Sequence, residues 1–357
     1  MRTMKTSPTP NVLLYCRPGF EADCAQEAQQ HARQQRPLTA NQPALHSDAG
    51  YVLLTLNGQS LHYAQLVFAR QLLQVHADID NLPDRDRLTP IVEAILAHAP
   101  DWCDLWLEVP DTNDGKELSA FTRRFQPLLL QALQERGCVP KADARQRLHL
   151  FFPQRNRVML ASSELYNSAS APMGILRQSM PAEAPSRSTL KLAEAFELFL
   201  SKSEQSRLLR PGMRAVDLGA APGGWTWQLV KRGLRVTAVD NGPMKGVLHR
   251  HPLVEHLRVD GFKYAPPRPV DWLVCDMVEK PGKVAELMAR WLAAGWTRQC
   301  IFNLKLPMKQ RLRALDDALA QIRRLLDAED VSYQLQVKQL YHDREEITVF
   351  LARSKRG

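Results

Sequence analysis

Between residues 189 and 352 short apolar runs alternate with stretches of helical periodicity, and that alternation limits the fold more than any other feature of the chain. The spacing predicts strands over 214–218, 235–239, 256–259, 270–276 and 300–305, helices over 189–200, 224–232, 283–294 and 308–326, and closing strands over 332–340 and 346–352. Such alternation implies an α/β fold, a mostly parallel, doubly wound seven-stranded sheet that binds its ligands at the carboxyl ends of the strands. Within the last long helix, Leu312, Leu315, Leu319, Ile322 and Leu326 form a stripe read as core.

The run AVDLGAAPGGW, residues 215–225, sits at one of those strand ends. The apolar strand stops at Asp217-Leu218, and Gly219, Gly223 and Gly224 then form a turn whose backbone can approach a ligand closely before a helix begins. Asp240, about twenty residues on at the end of the next strand, is placed to accept hydrogen bonds from ribose hydroxyls. An NAD enzyme would use the same two features. The loop here is GxxxGG and not GxGxxG, with Asp217 two residues before the first glycine, an arrangement of methyltransferases whose ligand carries an amino-acid moiety and no pyrophosphate. Asp260, in VDGF at the end of the third strand, suits an adenine amino group; taken alone it reads equally well as a turn aspartate before Gly261.

The first half has a different rhythm. Strand signals at 11–16, 50–56, 104–111, 147–152 and 157–163 are interspersed with helices over 21–33, 88–98 and 116–135, and the run 61–79 begins as helix and turns to strand beyond Arg70. On the long helix Leu118, Phe121, Phe125, Leu128, Leu129 and Leu133 share one face. Arg123, Arg124, Arg136, Lys141, Arg145, Arg147, Arg155 and Arg157 follow, as solvated surface or as contacts for an RNA backbone. Residues 166–185, rich in Ser, Ala, Pro and Met, read as a linker. A chain of 357 residues is long for one domain, and the formal charge of +9 would draw a polyanion such as RNA. No apolar run reaches about 18 residues, which disfavours export and membrane insertion. Six scattered cysteines without a CxxC pair read as reduced thiols of a cytoplasmic protein, and His249, His251, His256 and His342 form no ligand-like cluster, so no metal is expected.

The C-terminal half resembles the FtsJ/RrmJ-type ribose 2'-O-methyltransferases. SRSTLKL, residues 186–192, matches that family's SRxxxKL opening, VDLGAAPGGW its cofactor loop, and CDM, residues 275–277, its strand-end aspartate. With the N-terminal α+β region and the segments VCDMVEKP, NLKLPMK and YHDREE, the whole chain is similar to the long members that methylate a cytidine ribose in 23S rRNA. The resemblance implies a Rossmann-like class I methyltransferase domain over 186–357, a ferredoxin-like subdomain over 1–70 and a THUMP-like RNA-binding domain over 71–165. It implies S-adenosyl-L-methionine as cofactor, 23S rRNA or its precursor as partner, and one cytidine of the peptidyl-transferase region as target, for a protein expected to be a monomer. The implied cofactor site comprises Ser188, Gly219, Ala221, Pro222, Gly223, Gly224, Asp240, Asp260 and Asp276, and the implied catalytic set is Lys191, Asp276, Lys305 and Glu346.

That set suits the reaction. A ribose hydroxyl is a poor nucleophile at neutral pH and must lose its proton as it attacks the sulfonium methyl. A lysine can take that proton only as the neutral amine, which desolvation and a neighbouring cation favour. Lys305, ending a buried strand, is the expected base, Lys191 the neighbouring charge, and Asp276 and Glu346 the orienting acids. Glu345 adjoins Glu346, and without the family match either could be the active-site acid. Met-Val-Glu-Lys-Pro after Asp276 and Leu-Pro-Met-Lys after Lys305 depart from the short family members, so the substrate pocket differs from theirs. Methylation of a base amine would call for an Asn/Asp-Pro-Pro-Tyr segment, which is absent; methylation at a base carbon would call for a nucleophilic cysteine, and Cys275 lies mid-strand. A non-catalytic RNA-binding or ribosome-assembly protein retaining the fold is the remaining alternative.

Overall fold

The structure, a computed structural model, describes residues 11–35, 45–56 and 59–354. The chain divides into two units, Met1–Ile175 and Leu176–Gly357.

The first unit runs β1 (Val12–Tyr15), α1 (Glu21–Gln35), β2 (Tyr51–Leu54), β3 (Gln71–Ile79), α2 (Leu88–His98), β4 (Asp104–Glu108), α3 (Asn113–Glu135), β5 (Gln146–Gln154) and β6 (Arg157–Glu164). Its six strands form one sheet in the order β2-β1-β3-β6-β5-β4. Because β3 pairs with β1 on one side and β6 on the other, that sheet runs straight across the subdomain boundary expected at residue 70. On α3 the buried apolar residues are Phe125, Leu129 and Leu133, whereas Leu128, expected on the same face, is 58% exposed. At 3.6 residues per turn Leu128 stands about 100° from the centre of that stripe, too far round to reach the sheet.

The segment read as a linker is tied down over its first ten residues. Ala169 N–H donates to Gln71 Oε1 at 2.9 Å, Met173 N–H donates to Glu108 Oε1 at 2.5 Å, and Ile175 is buried. Glu108 is a buried carboxylate that needs donors, and irregular backbone supplies one where a helix or strand would have spent its N–H internally.

The second unit runs α4 (Thr189–Phe199), α5 (Lys202–Leu208), β7 (Arg214–Leu218), α6 (Gly224–Val230), β8 (Arg235–Val239), β9 (Val254–Leu257), β10 (Val270–Cys275), α7 (Pro281–Ala293), β11 (Thr297–Lys305), α8 (Arg311–Ala328), β12 (Tyr333–Lys338) and β13 (Glu346–Arg353). The sheet order is β12-β13-β11-β10-β7-β8-β9, with β7 to β11 parallel and β13 inserted antiparallel to β11 and β12. This is the expected mostly parallel seven-stranded sheet. The third strand sits at Val254–Leu257, two residues before its expected start, and α5 has no counterpart in the apolar pattern. Its sequence, KSEQSRL, is polar almost throughout; a capping box between Ser201 and Glu204 starts it. The stripe on α8 is buried as expected. Trp272 on β10 is fully buried, donates its indole N–H to Leu208 O at 2.6 Å and meets Phe196 of α4 edge-on at 5.5 Å. Truncating such a side chain costs about 3–5 kcal/mol. Among the described residues no helix is long and apolar enough to cross a membrane.

Candidate active site

Parallel strands β7, β10 and β11 deliver their carboxyl ends to one edge of the sheet, which places Gly219, Asp276 and Lys305 there. β13 runs the other way, so its first residue arrives at the same edge: Glu346 is the register partner of Lys305. Lys191 reaches the site from the first turn of α4.

The four residues expected to form the catalytic set are brought together. Lys305 Nζ donates to Asp276 Oδ1 at 2.5 Å, Lys191 Nζ donates to Glu346 Oε1, and Lys191 Nζ lies 3.9 Å from Asp276 Oδ2. All four side chains are at most 21% exposed. Burial works against the Lys191 ammonium, but the charge of Asp276 and the hydrogen bond and charge of Glu346 outweigh it and raise its pKa. Lys191 is therefore held as a cation by the acids around it. Glu345 turns away to Arg311, at 3.0 Å, and is 52% exposed.

Three further residues belong to this cluster and are not among those expected from the sequence. Asn303 Nδ2 donates to Asp276 Oδ1 at 2.9 Å, Asn303 Oδ1 lies 2.8 Å from Thr348 Oγ1, and Thr348 Oγ1 lies 3.1 and 2.9 Å from the two oxygens of Asp343. Asp343 is fully buried, and burial raises its pKa well above the usual carboxylate range against the pull of Lys191. The signal for two of them is present in the chain. Side chains alternate along a strand, so polar Asn303 two before Lys305, and Thr348 two after Glu346, have to share their face. Glu194, one turn after Lys191, is also buried and accepts from Tyr341 N–H at 2.8 Å and His342 N–H at 3.1 Å, which ties the loop carrying Asp343 to α4.

The loop after β7 forms a cradle beside this cluster. Gly219 has φ +77°, and a Cβ there would stand 2.7 Å from Met277 Cγ, so the CDM segment packs directly on the glycine. A Cβ on Gly224 would stand 2.2 Å from Ser188 Oγ and 2.4 Å from Ser186 Oγ, which puts both serines against the loop. The Asp240 carboxylate accepts from Ala221 N–H at 3.0 Å and Gly242 N–H at 2.7 Å, spanning the loop from the end of β8. Asp260 accepts from Phe262 N–H at 2.9 Å and is half exposed, the geometry of a turn aspartate. Asp217 is fully buried; Thr226 Oγ1 donates to its Oδ2 at 2.6 Å, while Oδ1 has no hydrogen-bond partner among the described residues. Burial pushes its pKa up to about 7. Burial likewise pushes the Cys275 thiol up to about 12, which leaves no thiolate for attack on a base.

In the first unit the expected basic surface sorts in two. Arg136, Lys141, Arg147 and Arg157 are ion-paired with Glu93, Asp101, Asp104 and Asp78. Arg123, Arg124, Arg145 and Arg155 are exposed, and among the described residues no acidic partner stands within salt-bridge distance of them.

Comparison with known proteins covers nearly the whole chain. The FtsJ-like methyltransferase model matches residues 184–306, the RlmM ferredoxin-like domain model residues 9–73, and the model of the N-terminal region of ribosomal RNA large subunit methyltransferase M residues 86–164. Ribosomal RNA large subunit methyltransferase M of Laribacter hongkongensis is 57% identical over 96% of each chain, and that of Thauera aminoaromatica is 48% identical over 95% of each. Among solved structures, TrmN from Thermus thermophilus covers 96% of this chain and 99% of its own at 15% identity and a TM-score of 0.35, a likeness too loose to bear on the site.

Proposed function

The chain belongs to the ribosomal RNA large subunit methyltransferase M family, and from that premise we propose that it transfers a methyl group from S-adenosyl-L-methionine to the 2'-hydroxyl of one cytidine ribose in 23S rRNA. The observation that carries this reading is the cluster of Lys305, Asp276, Lys191 and Glu346 at the sheet edge beside the glycine loop.

The residues of the loop fit the cofactor. An orphaned, buried carboxylate oxygen on Asp217 suits the ammonium of an amino-acid moiety, and Gly219 and Gly224 let Met277 and Ser188 pack directly on the loop that would carry it. Ser188, Ala221, Pro222, Gly223, Asp240 and Asp260 complete the proposed site. When bound, S-adenosylmethionine supplies the methyl group and a positive charge that disfavours a second ammonium beside it. Lys305 Nζ takes the ribose proton as the neutral amine, a contribution of about 10²–10⁴ in rate. Asp276 orients Lys305 through their 2.5 Å hydrogen bond, and Glu346 keeps Lys191 charged and in place.

The N-terminal unit, as a ferredoxin-like part over 1–70 and a THUMP-like part over 71–165, is assigned to holding the RNA. A monomer acting in the cytoplasm completes the proposal. The rival, a binding or assembly protein without activity, leaves the interlocked lysines and acids without a purpose. Mapping 2'-O-methyl groups in rRNA from cells with and without the protein tests the target: one cytidine of the peptidyl-transferase region should lose its mark, and an unchanged map would refute the assignment. Lys305→Ala tests the base, since full methyl transfer by that variant would exclude it.

A further inference from the structure

We propose that Asp343 is a positioning residue for the reaction, one that anchors, through Thr348, the Asn303 amide that donates to Asp276. The proposal rests on the assignment of Asp276 and Lys305 to the chemistry.

The argument is one of counting protons along a buried chain. Thr348 and Asn303 are fully buried register partners on β13 and β11, two residues along the ladder from Glu346 and Lys305. Thr348 has a single hydroxyl proton and faces two acceptors, Asn303 Oδ1 at 2.8 Å and the Asp343 carboxyl at 2.9 and 3.1 Å. Were Asp343 ionised, that proton would turn to the carboxylate. Asn303 Oδ1 would then lose its one side-chain donor and stand buried and unsatisfied, and the bond from Nδ2 to Asp276 alone would hold the amide. With Asp343 protonated, Oδ1–H donates to Thr348, Thr348 donates to Asn303 Oδ1, and Asn303 Nδ2 donates to Asp276 Oδ1. The second Asp343 oxygen accepts from Leu340 N–H at 2.9 Å.

The charges agree. Lys191 from α4 and Glu346 from β13 are the charged groups acting on Asp343, and Lys191 and Lys305 are already matched by Glu346 and Asp276, so a third carboxylate would be buried without its own cation. Burial raises the Asp343 pKa in the direction this requires. The consequence at the site is specific. Asp276 Oδ1 accepts from both Asn303 and Lys305, which fixes the carboxylate plane and aims the Lys305 amine.

Four variants of the full-length protein test this, assayed for methyl transfer with separate kcat and KM for RNA and S-adenosylmethionine. Thr348→Val removes the relay at nearly constant volume and should lower kcat about tenfold or more with both KM values unchanged. Thr348→Ser should restore kcat to within about twofold. Asp343→Asn places an NH₂ donor toward Thr348 and a carbonyl toward Leu340 N–H, so it should stay within about threefold of the parent, whereas Asp343→Leu should fall with Thr348→Val. Full kcat in Thr348→Val, or Asp343→Asn as damaged as Asp343→Leu, would overturn the proposal. If Asp343→Leu does not fold, the Thr348 pair and Asp343→Asn still decide. Failure of the base assignment looks different: Lys305→Ala would remain active whatever the Thr348 variants do.

Discussion

Lys191 and Glu346 are joined by a hydrogen bond between side chains only 14% and 10% exposed, and neither charge has water enough to stand alone. Removing one partner of such a pair costs more than removing both, because the survivor is left buried and uncompensated. Lys191→Met should therefore destabilise the protein by about 2–3 kcal/mol, and Lys191→Met with Glu346→Gln by less than the sum of the two single changes, a coupling of about 1 kcal/mol or more. Denaturant unfolding of the three variants measures this; strict additivity would show that the pair is not coupled.

Asp217 makes the stability of the cofactor-free protein depend on pH. Its folded pKa, about 7, lies above an unfolded value of about 4, so the folded state binds more protons across that interval. The stabilisation is complete below about pH 4 and is lost as pH rises through about 7, a total on the order of 4 kcal/mol. Asp217→Asn, which cannot ionise, should gain stability relative to the parent at pH 8 but not at pH 4. An equal difference at both pH values would contradict this origin.

The loops leaving β10 and β11 expose two large apolar side chains beside the site, Val278 at 88% and Met308 at 85%. Neither contributes to the core, so changing them should leave unfolding free energy within about 0.5 kcal/mol. Their place next to Asp276 and Lys305 suits contact with the substrate nucleotide. Val278→Asp and Met308→Asp should each raise KM for RNA several-fold with the melting temperature held; an unchanged KM would remove these loops from the substrate pocket.

Of the eight basic residues singled out in the sequence, Arg123, Arg124, Arg145 and Arg155 have no acidic partner among the described residues and are available to neutralise phosphate. Replacing Arg124 and Arg155 by alanine should weaken RNA binding and flatten the plot of log K against log salt concentration by about one unit for each phosphate left without its arginine. The ion-paired Arg136 serves as the control, with a smaller change in slope expected. Equal slopes for the parent and the double variant would place the RNA elsewhere.

Much of this molecule is legible along the chain because the signals are local. The glycine loop, the strand ending at Leu218, the stripe on α8 and the start of α2 at Leu88 depend on neighbours within a few residues, where periodicity and backbone freedom act. Leu128 escapes its expected face because 3,4 spacing admits two candidates per turn and only packing chooses between them. The linker is shorter than its composition suggests because Ser, Ala and Pro forecast irregular backbone, not whether a buried acid such as Glu108 will recruit it.

The sequence by itself determined that the second unit is a parallel α/β sheet with a cofactor loop at its strand ends, and it supplied every one of the four candidate catalytic residues. Only the tertiary structure decided which way the two adjacent glutamates face. Glu345 and Glu346 are equivalent on paper, but side chains alternate along β13, and the antiparallel register with β11 turns Glu346 inward toward Lys191 and Glu345 out to Arg311. The same register created the chain from Asp343 to Asp276. Its members come from two strands and two loops, Asn303 and Thr348 alone standing 45 residues apart, and a hydrogen bond across that separation has no local signature to read.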